Sequence, residues 1–350
     1  MKKIIVTLIV YCLLTNAFAQ TLKHTRNYYY WINQAELAIC DSNYDVANVC
    51  YDKAFLCHNP LGVHLLTAYS VNTKFTNDTN RIYQYAIQLL LCEDNGLAGR
   101  YKREKNFDST VFHRLVQLES SVKPMIDTNL QKELKNILAK DQSYAHHYSK
   151  SRKEDSLNKS VEKDIISLYR KHTIINDFTA GIHFCNYYLY VPAWHLVQSK
   201  RHHIQCLLRK EVVKGNVSAD LYMGLEEIYL SSKNYRQSNE RLENRCKYGL
   251  ENPSVFTLGN YLFITEPINI HKVNRNRKKL GLSETYEDFI KKVRWQYTNG
   301  TLYWTSIPKD TYGNDDENQK EADKLIQEID AEHSIGDFHR QYYPLPPKKK

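Results

Sequence analysis

Residues 31–60 read WINQAELAICDSNYDVANVCYDKAFLCHNP, and the fold turns on how this stretch is read. Trp31 and Ala35 share a first helix with the apolar residues that follow them. Ser42-Asn43-Tyr44 supplies turn chemistry. Ala47, Tyr51 and Ala54 then recur on a second helix in a small-large-small order. Small residues let two helix backbones approach, and the aromatic ring fills the space beside them. Pro60 follows near the end of the unit, as expected of a residue that cannot extend a helix. The spacing predicts an antiparallel helical pair with Ala47 and Ala54 at the contact. Asn48, one residue round the helix, is expected to face solvent.

The next stretch repeats the plan. HLLTAYSVNTKF (64–75) followed by RIYQYAIQLLLC (81–92) reads as a second helical pair. The positions of Trp31, Ala35, Ala47, Tyr51, Ala54 and Pro60 resemble a tetratricopeptide-type unit. That resemblance implies a helical-repeat part built for protein binding. Two pairs are too few to stand alone as a solenoid, so a third pair or packing against the following region is expected to cover the open end.

Toward the N-terminus, MKKIIVTLIVYCLLTNAFAQ (1–20) has a basic start, a short apolar run and Ala17-Phe18-Ala19 at the positions a signal peptidase reads. This predicts a cleavable signal peptide over 1–19 and a periplasmic or secreted protein. Cys12 follows Val10-Tyr11 rather than small residues, so no lipid anchor is expected. No later run reaches the ~20 apolar residues of a membrane span.

Toward the C-terminus the pattern stays helical. Beyond Lys123-Pro124, LQKELKNILAKDQSYAHHY (130–148) aligns Leu130, Leu134, Ile137 and Leu138. SRKEDSLNK (151–159) reads as a polar run before the helix SVEKDIISLYRKH (160–172). AWHLVQSKRHHIQCLLRKEVVKG (193–215) reads as one long helix ended by Gly215. Ser218 is placed to cap the helix after it, and Ser283 to cap ETYEDFIKKVRWQY (284–297). Residues 249–267 read as irregular, with YLFIT (261–265) and TLYWTSI (301–307) the plausible short strands. NQKEADKLIQEIDAEH (318–333) puts Ala322, Leu325, Ile326 and Ile329 on one docking face, and YYPLPPKKK (342–350) reads as an extended tail.

Composition agrees with a mostly α fold having at most a few short strands. The 350 residues include 12 glycines and 9 prolines, too few for a turn-rich sheet protein. The 27 tyrosines suit helix packing, ring inside and hydroxyl at a polar edge. The net charge of +9 comes partly from the terminal Lys348-Lys349-Lys350, and elsewhere the signs are interleaved. No basic stripe carries base-stacking aromatics, so nucleic acid is not an expected partner. Seven cysteines lie beyond the leader: Cys40, Cys50, Cys57, Cys92, Cys185, Cys206 and Cys246. The odd number leaves at least one unpaired within a chain. Most sit among apolar neighbours, as buried thiols do.

Five pieces in order resemble a bacterial domain-of-unknown-function family whose members are often exported. They are Asp141-Gln142, Asp155 with Asn158, Leu196–Ser199, Lys214–Glu227 and Ile268–Leu282. The chain departs from the family's pattern at Ala145, where an arginine is expected, at Ser199, where a histidine is expected, and at Glu227-Ile228, where an Asp-Arg pair is expected. The motif positions that carry over are Asp141, Gln142, Asp155 and Asn158. The resemblance implies a second helical domain and no established activity.

The expected organisation is therefore a signal peptide over 1–19, a tetratricopeptide-like region over 20–124, a helical domain over 125–300, and a C-terminal helix and tail over 301–350. The chain carries no GxSxG, phosphate-binding glycine loop, dinucleotide fingerprint or HExxH spacing. No cofactor is expected. Neither His146-His147 nor His202-His203 makes a metal site by itself, because neighbours on a helix point about 100° apart. Across helices, Asp141, His146 and His195 have the chemistry to meet on a metal. The reading favours a non-catalytic envelope protein that binds another protein. Its alternative is a metal-assisted hydrolase using Asp141 and nearby histidines.

Overall fold

A computed structural model describes residues 23–143, 152–182, 184–199, 201–219, 222, 225, 254–258, 261–267, 270–279, 281–299, 310–311, 316–331, 334–335 and 338–344. The fold is mostly α. Helix α1 (residues 23–40) turns into α2 (Tyr44–Cys57) through Ser42, whose φ is 58°, and Asn43, whose side chain accepts from Val46 N. Ala35, Ala47, Tyr51 and Ala54 have no exposed surface, as the small-large-small pattern requires. Asn48 does not face solvent. It is buried and trades two hydrogen bonds with Asn72, so this part of the sequence reading is corrected. A helix face buried on two sides presents more than its apolar stripe.

The second pair is α3 (Gly62–Val71), a π-turn over Asn72–Thr76, and α4 (Thr79–Leu91) capped by the Asp78 carboxylate. Arg81 on α4 pairs with Asp52 on α2 at 2.7 Å. A short α5 (Leu97–Tyr101) and α6 (Ser109–Ser121) follow and pack together, with α6 also on α4. Beyond a loop at 122–127 come α7 (Thr128–Gln142), α8 (Arg152–Lys171), α9 (Asp177–Ala180), a π-segment over Phe184–Leu189, α10 (Tyr190–Gln198) and α11 (His202–Val213).

The structure departs from the sequence reading here in two ways. The polar run from Arg152 to Lys159 is the first half of α8. It is helical because Val161, Ile165 and Leu168 further along are buried and carry the helix with them. The expected long helix over 193–215 is broken between α10 and α11. Arg201 N closes back onto Leu196 O at 2.9 Å, and the Arg201 backbone leaves the helical region. Gly215 does end α11, at φ 80°. A Cβ there would lie 2.5 Å from the His58 ring, so glycine is required for the backbone and for the contact.

Helices α12 (Ile270–Lys279) and α13 (Tyr286–Asn299) return to the first pair. The cap of α13 is Thr285, not Ser283. Thr285 Oγ1 accepts from Asp288 N at 3.1 Å while Asp288 Oδ2 accepts from Thr285 N at 3.0 Å. Ser283 donates instead to Tyr29 O at 2.9 Å. Asn33 donates to Asp288 at 2.9 Å, and Lys292 sits buried between Glu36 and Glu284. One continuous apolar core runs from Tyr28 to Trp295.

The remaining element is a five-stranded sheet of order β3-β1-β2-β5-β4, from β1 (Ser254–Leu258), β2 (Tyr261–Pro267), β3 (Asp310–Thr311), β4 (Ser334–Ile335) and β5 (Phe338–Pro344). It is antiparallel except for β1 with β3. Helix α14 (Asp316–Ala331) packs on β1 and β5 and buries Ala322 and Ile329. YLFIT is a strand as expected. The stretch before it is also a strand rather than irregular, and Tyr342–Pro344 belong to β5 rather than to a free tail. TLYWTSI and the leader lie outside the described residues. Among the described residues no helix is long and apolar enough to cross a membrane. The cysteines described there, Cys40, Cys50, Cys57, Cys92 and Cys206, are free thiols. Cys206 is exposed, against the expectation drawn from its apolar neighbours.

Candidate functional site

Three helix segments converge near the α10–α11 break. The C-terminal end of α7 brings Asp141 and Gln142. The first three turns of α8 bring Asp155, Asn158 and Glu162. The end of α10 and the break after it bring His195, Ser199 and Arg201. Asp141 is 6% exposed. Its Oδ2 accepts from His195 Nδ1 at 2.7 Å and from Gln142 Nε2 at 2.9 Å. The imidazole stacks on Trp194 with ring centroids 5.5 Å apart. The His195 side chain stays 30% exposed, and its Nε2 has no hydrogen-bond partner among the described residues.

One turn further, Asn158 Nδ2 donates to Ser199 Oγ at 2.9 Å. Asp155 pairs with Arg201 and, at 2.8 Å, with Lys159. The hydrogen bond from Lys159 and the nearby Arg201 charge hold the Asp155 carboxyl below its ordinary range. Arg201 also reaches Glu162 at 3.6 Å, and His203 lies 3.3 Å from Glu162. Arg201 is thus committed to two carboxylates.

Asp141, Gln142, Asp155 and Asn158 therefore lie in one polar cluster, together with the Leu196–Ser199 piece. The other two pieces of the resemblance lie elsewhere. Lys214 O accepts from His58 Nε2 at 3.0 Å, and Gly215 packs against the same ring. Arg277 is fully buried, donates through Nε to Glu284 O at 3.1 Å, pairs with the Glu284 carboxylate and lies over the Phe289 ring. Among the described residues, Lys214-Gly215 joins the end of α11 to the end of α2, Arg277 ties α12 to the start of α13, and neither bonds to Asp141.

His195 meets Asp141 as the metal alternative requires, while His146 lies outside the described residues. Among the described residues no group of three or more His, Cys, Asp or Glu is placed to hold a metal ion. Ser199, Arg201 and Glu162 were not singled out as site residues in the sequence reading. Arg201 and Glu162 pair with residues about 40 positions away, and no local spacing signals such pairs. Compared with family models, curated proteins and solved structures, the chain matches none.

Proposed function

We propose that this is an exported, mostly helical protein that acts by binding another protein, in an interaction or scaffold role in the bacterial cell envelope. The leader reading of residues 1–19 supports export, and the tetratricopeptide-like spacing of the first pair supports binding. The observation that carries the reading is the outer side of α2. Val46, Val49 and Leu56 are 45, 47 and 87% exposed, at positions i, i+3 and i+10 of one helix. Tyr30 is exposed on the neighbouring helix α1, its ring against Trp31, which Lys53 of α2 covers at 4.2 Å. A run of uncovered apolar side chains on one helix is a feature of interaction surfaces. The test is affinity capture from envelope extract with the full chain and with a Val49→Asp/Leu56→Asp variant of unchanged helicity. A partner held by the first and lost by the second supports the reading; equal capture by both defeats it.

A second reading, a metal-assisted hydrolase, is favoured by the Asp141–His195 bond. A carboxylate on Nδ1 fixes the ring and leaves Nε2 for a metal or a proton. Stoichiometric zinc or manganese in the purified protein, lost in Asp141→Asn and His195→Gln, supports it.

A further inference from the structure

We propose that Ser199, His195 and Asp141 form an acyl-transfer site with Ser199 as the nucleophile and carboxylic esters as the substrate class. The inference shares with the second reading only that this cluster is catalytic, and gives the nucleophile's part to a serine hydroxyl in place of metal chemistry.

Such a site needs a hydroxyl, a base and a group that orients the base, and it is recognised by geometry and role rather than by chain order. Asp141 is nearly inaccessible and holds His195 Nδ1 at 2.7 Å, so the ring's tautomer and direction are set. Among the described residues nothing bonds His195 Nε2, which is then the basic nitrogen on a side chain 30% exposed. Ser199 follows four residues later, with its backbone N bonded to His195 O at 3.0 Å. Residues four apart on a helix have Cβ atoms about 5–6 Å apart, and side chains lean toward the helix N-terminus, which carries the Ser199 hydroxyl toward the imidazole. Asn158 Nδ2 donates to Ser199 Oγ at 2.9 Å, which fixes the oxygen and leaves its own proton to be given away. In the resting arrangement Ser199 and His195 do not hydrogen-bond each other. Such contacts commonly tighten only when substrate is bound.

The same geometry selects the reaction. Phosphoryl transfer calls for a free cation on the transferred group, but of the cations described at this cluster Arg201 is taken by Asp155 and Glu162 and Lys159 by Asp155. An ester calls for neutral N–H donors at the developing oxyanion. Gln142 Nε2 and Asn158 Nδ2 each use one proton, on Asp141 and Ser199, and keep a second. In the reaction the Ser199 Oγ–H proton passes to His195 Nε2 as Oγ bonds to the ester carbonyl carbon. The carbon–oxygen bond of the ester then breaks, and the leaving alcohol takes that proton. Water attacks the acyl-serine, gives a proton to Nε2 and releases the acid, and Ser199 regains its hydrogen.

The test treats the full chain with a fluorophosphonate probe and locates the adduct by peptide mass spectrometry, alongside hydrolysis of p-nitrophenyl acetate. The expected result is an adduct on Ser199. It is lost in Ser199→Ala and His195→Gln, and slowed on the order of 10⁴-fold in Asp141→Asn with a changed pH profile, since the tautomer is no longer set. Chelator leaves the labelling unchanged. Absence of an adduct on Ser199 in wild-type protein, or hydrolysis equal in wild type and a folded Ser199→Ala, overturns the proposal. Chelator-sensitive hydrolysis without an adduct overturns it in favour of the metal reading. Loss of labelling in Asn158→Asp, whose circular dichroism matches wild type, supports it should Ser199→Ala fail to fold.

Discussion

Asn48 on α2 and Asn72 at the end of α3 donate to each other's carbonyl oxygen at 3.0 and 2.9 Å, both side chains buried. Asn72 also donates to Ala68 O at 2.8 Å and accepts from Thr76 Oγ1 at 2.8 Å, which ties the π-turn to the helix before it. The first and second helical pairs are thus held in register by a polar contact inside an apolar seam.

Removing Asn48 takes away both of its bonds with Asn72 and leaves that buried amide with only Ala68 O and Thr76 Oγ1 as partners. Asn48→Leu should lower stability by about 1–3 kcal/mol, read by chemical denaturation. Ala47→Leu, one residue away, should cost about 1–3 kcal/mol by overpacking a site with no exposed surface. Val49→Ala, on the exposed side, should change stability by no more than about 0.5 kcal/mol. The double variant Asn48→Leu/Asn72→Leu should cost less than the two single changes added together.

Stability should fall on acidification through His64. The ring is buried, with Tyr28 OH 2.6 Å from Nδ1 and Leu61 N donating to the same hydroxyl. Burial lowers its pKa to about 4. The folded pKa lies below the unfolded one, so between about pH 6.5 and 4 the unfolded chain takes up the proton first. The contribution is fully present above the unfolded pKa and is lost as pH falls toward 4, by up to about 3 kcal/mol. Urea denaturation at pH 7 and pH 4.5 should show the loss, and His64→Gln should show less of it.

Lys292 should be costly to remove by itself. It is 3% exposed and bridges Glu36 on α1 and Glu284 before α13, beside the buried Arg277. Lys292→Ala leaves two carboxylates facing each other and should cost about 3–5 kcal/mol. Lys292→Met/Glu36→Leu should recover part of that, because an apolar pair removes the uncompensated charge. Thermal denaturation of the three proteins separates these outcomes.

The free thiols should differ sharply in reactivity. Burial pushes the Cys40 thiol up to about 12 and raises that of Cys92, which has no exposed surface, further from its ordinary value. Cys206 is exposed. Pulse labelling with a maleimide, read residue by residue by mass spectrometry, should modify Cys206 in the native protein. Cys40 and Cys92 should be modified at a comparable rate only after unfolding.

Local periodicity made much of the helical framework legible. Ala47, Tyr51 and Ala54 repeat at a spacing that a helix alone turns into one buried face, and Leu130, Leu134 and Ile137 do the same on α7. The hairpin of β1 and β2 was half legible. YLFIT reads as a strand on its own alternation, whereas SVFTL shows itself one only through the Gly259-Asn260 step between two apolar runs, a hairpin signal. Thr285 displaced Ser283 as a cap because Asp288 stands three residues after Thr285 and can return the hydrogen bond.

By itself, the sequence determined the fold class, the placing of most helices, the helix end at Gly215 and the chemistry of Asp141, Gln142, Asp155 and Asn158. Each depends on neighbours within a few turns of the same chain segment. Only the tertiary structure decided that Asn48 is buried, that α10 and α11 are separate, that Gly215 packs on His58 and Arg277 on Glu284, and that His195 and Ser199 stand with Asp141 and Asn158. Asn48 and Asn72 are 24 residues apart, Asn158 and Ser199 are 41, and Asp141 and His195 are 54. At such separations the packing of whole helices, not the spacing of residues, sets which side chains meet.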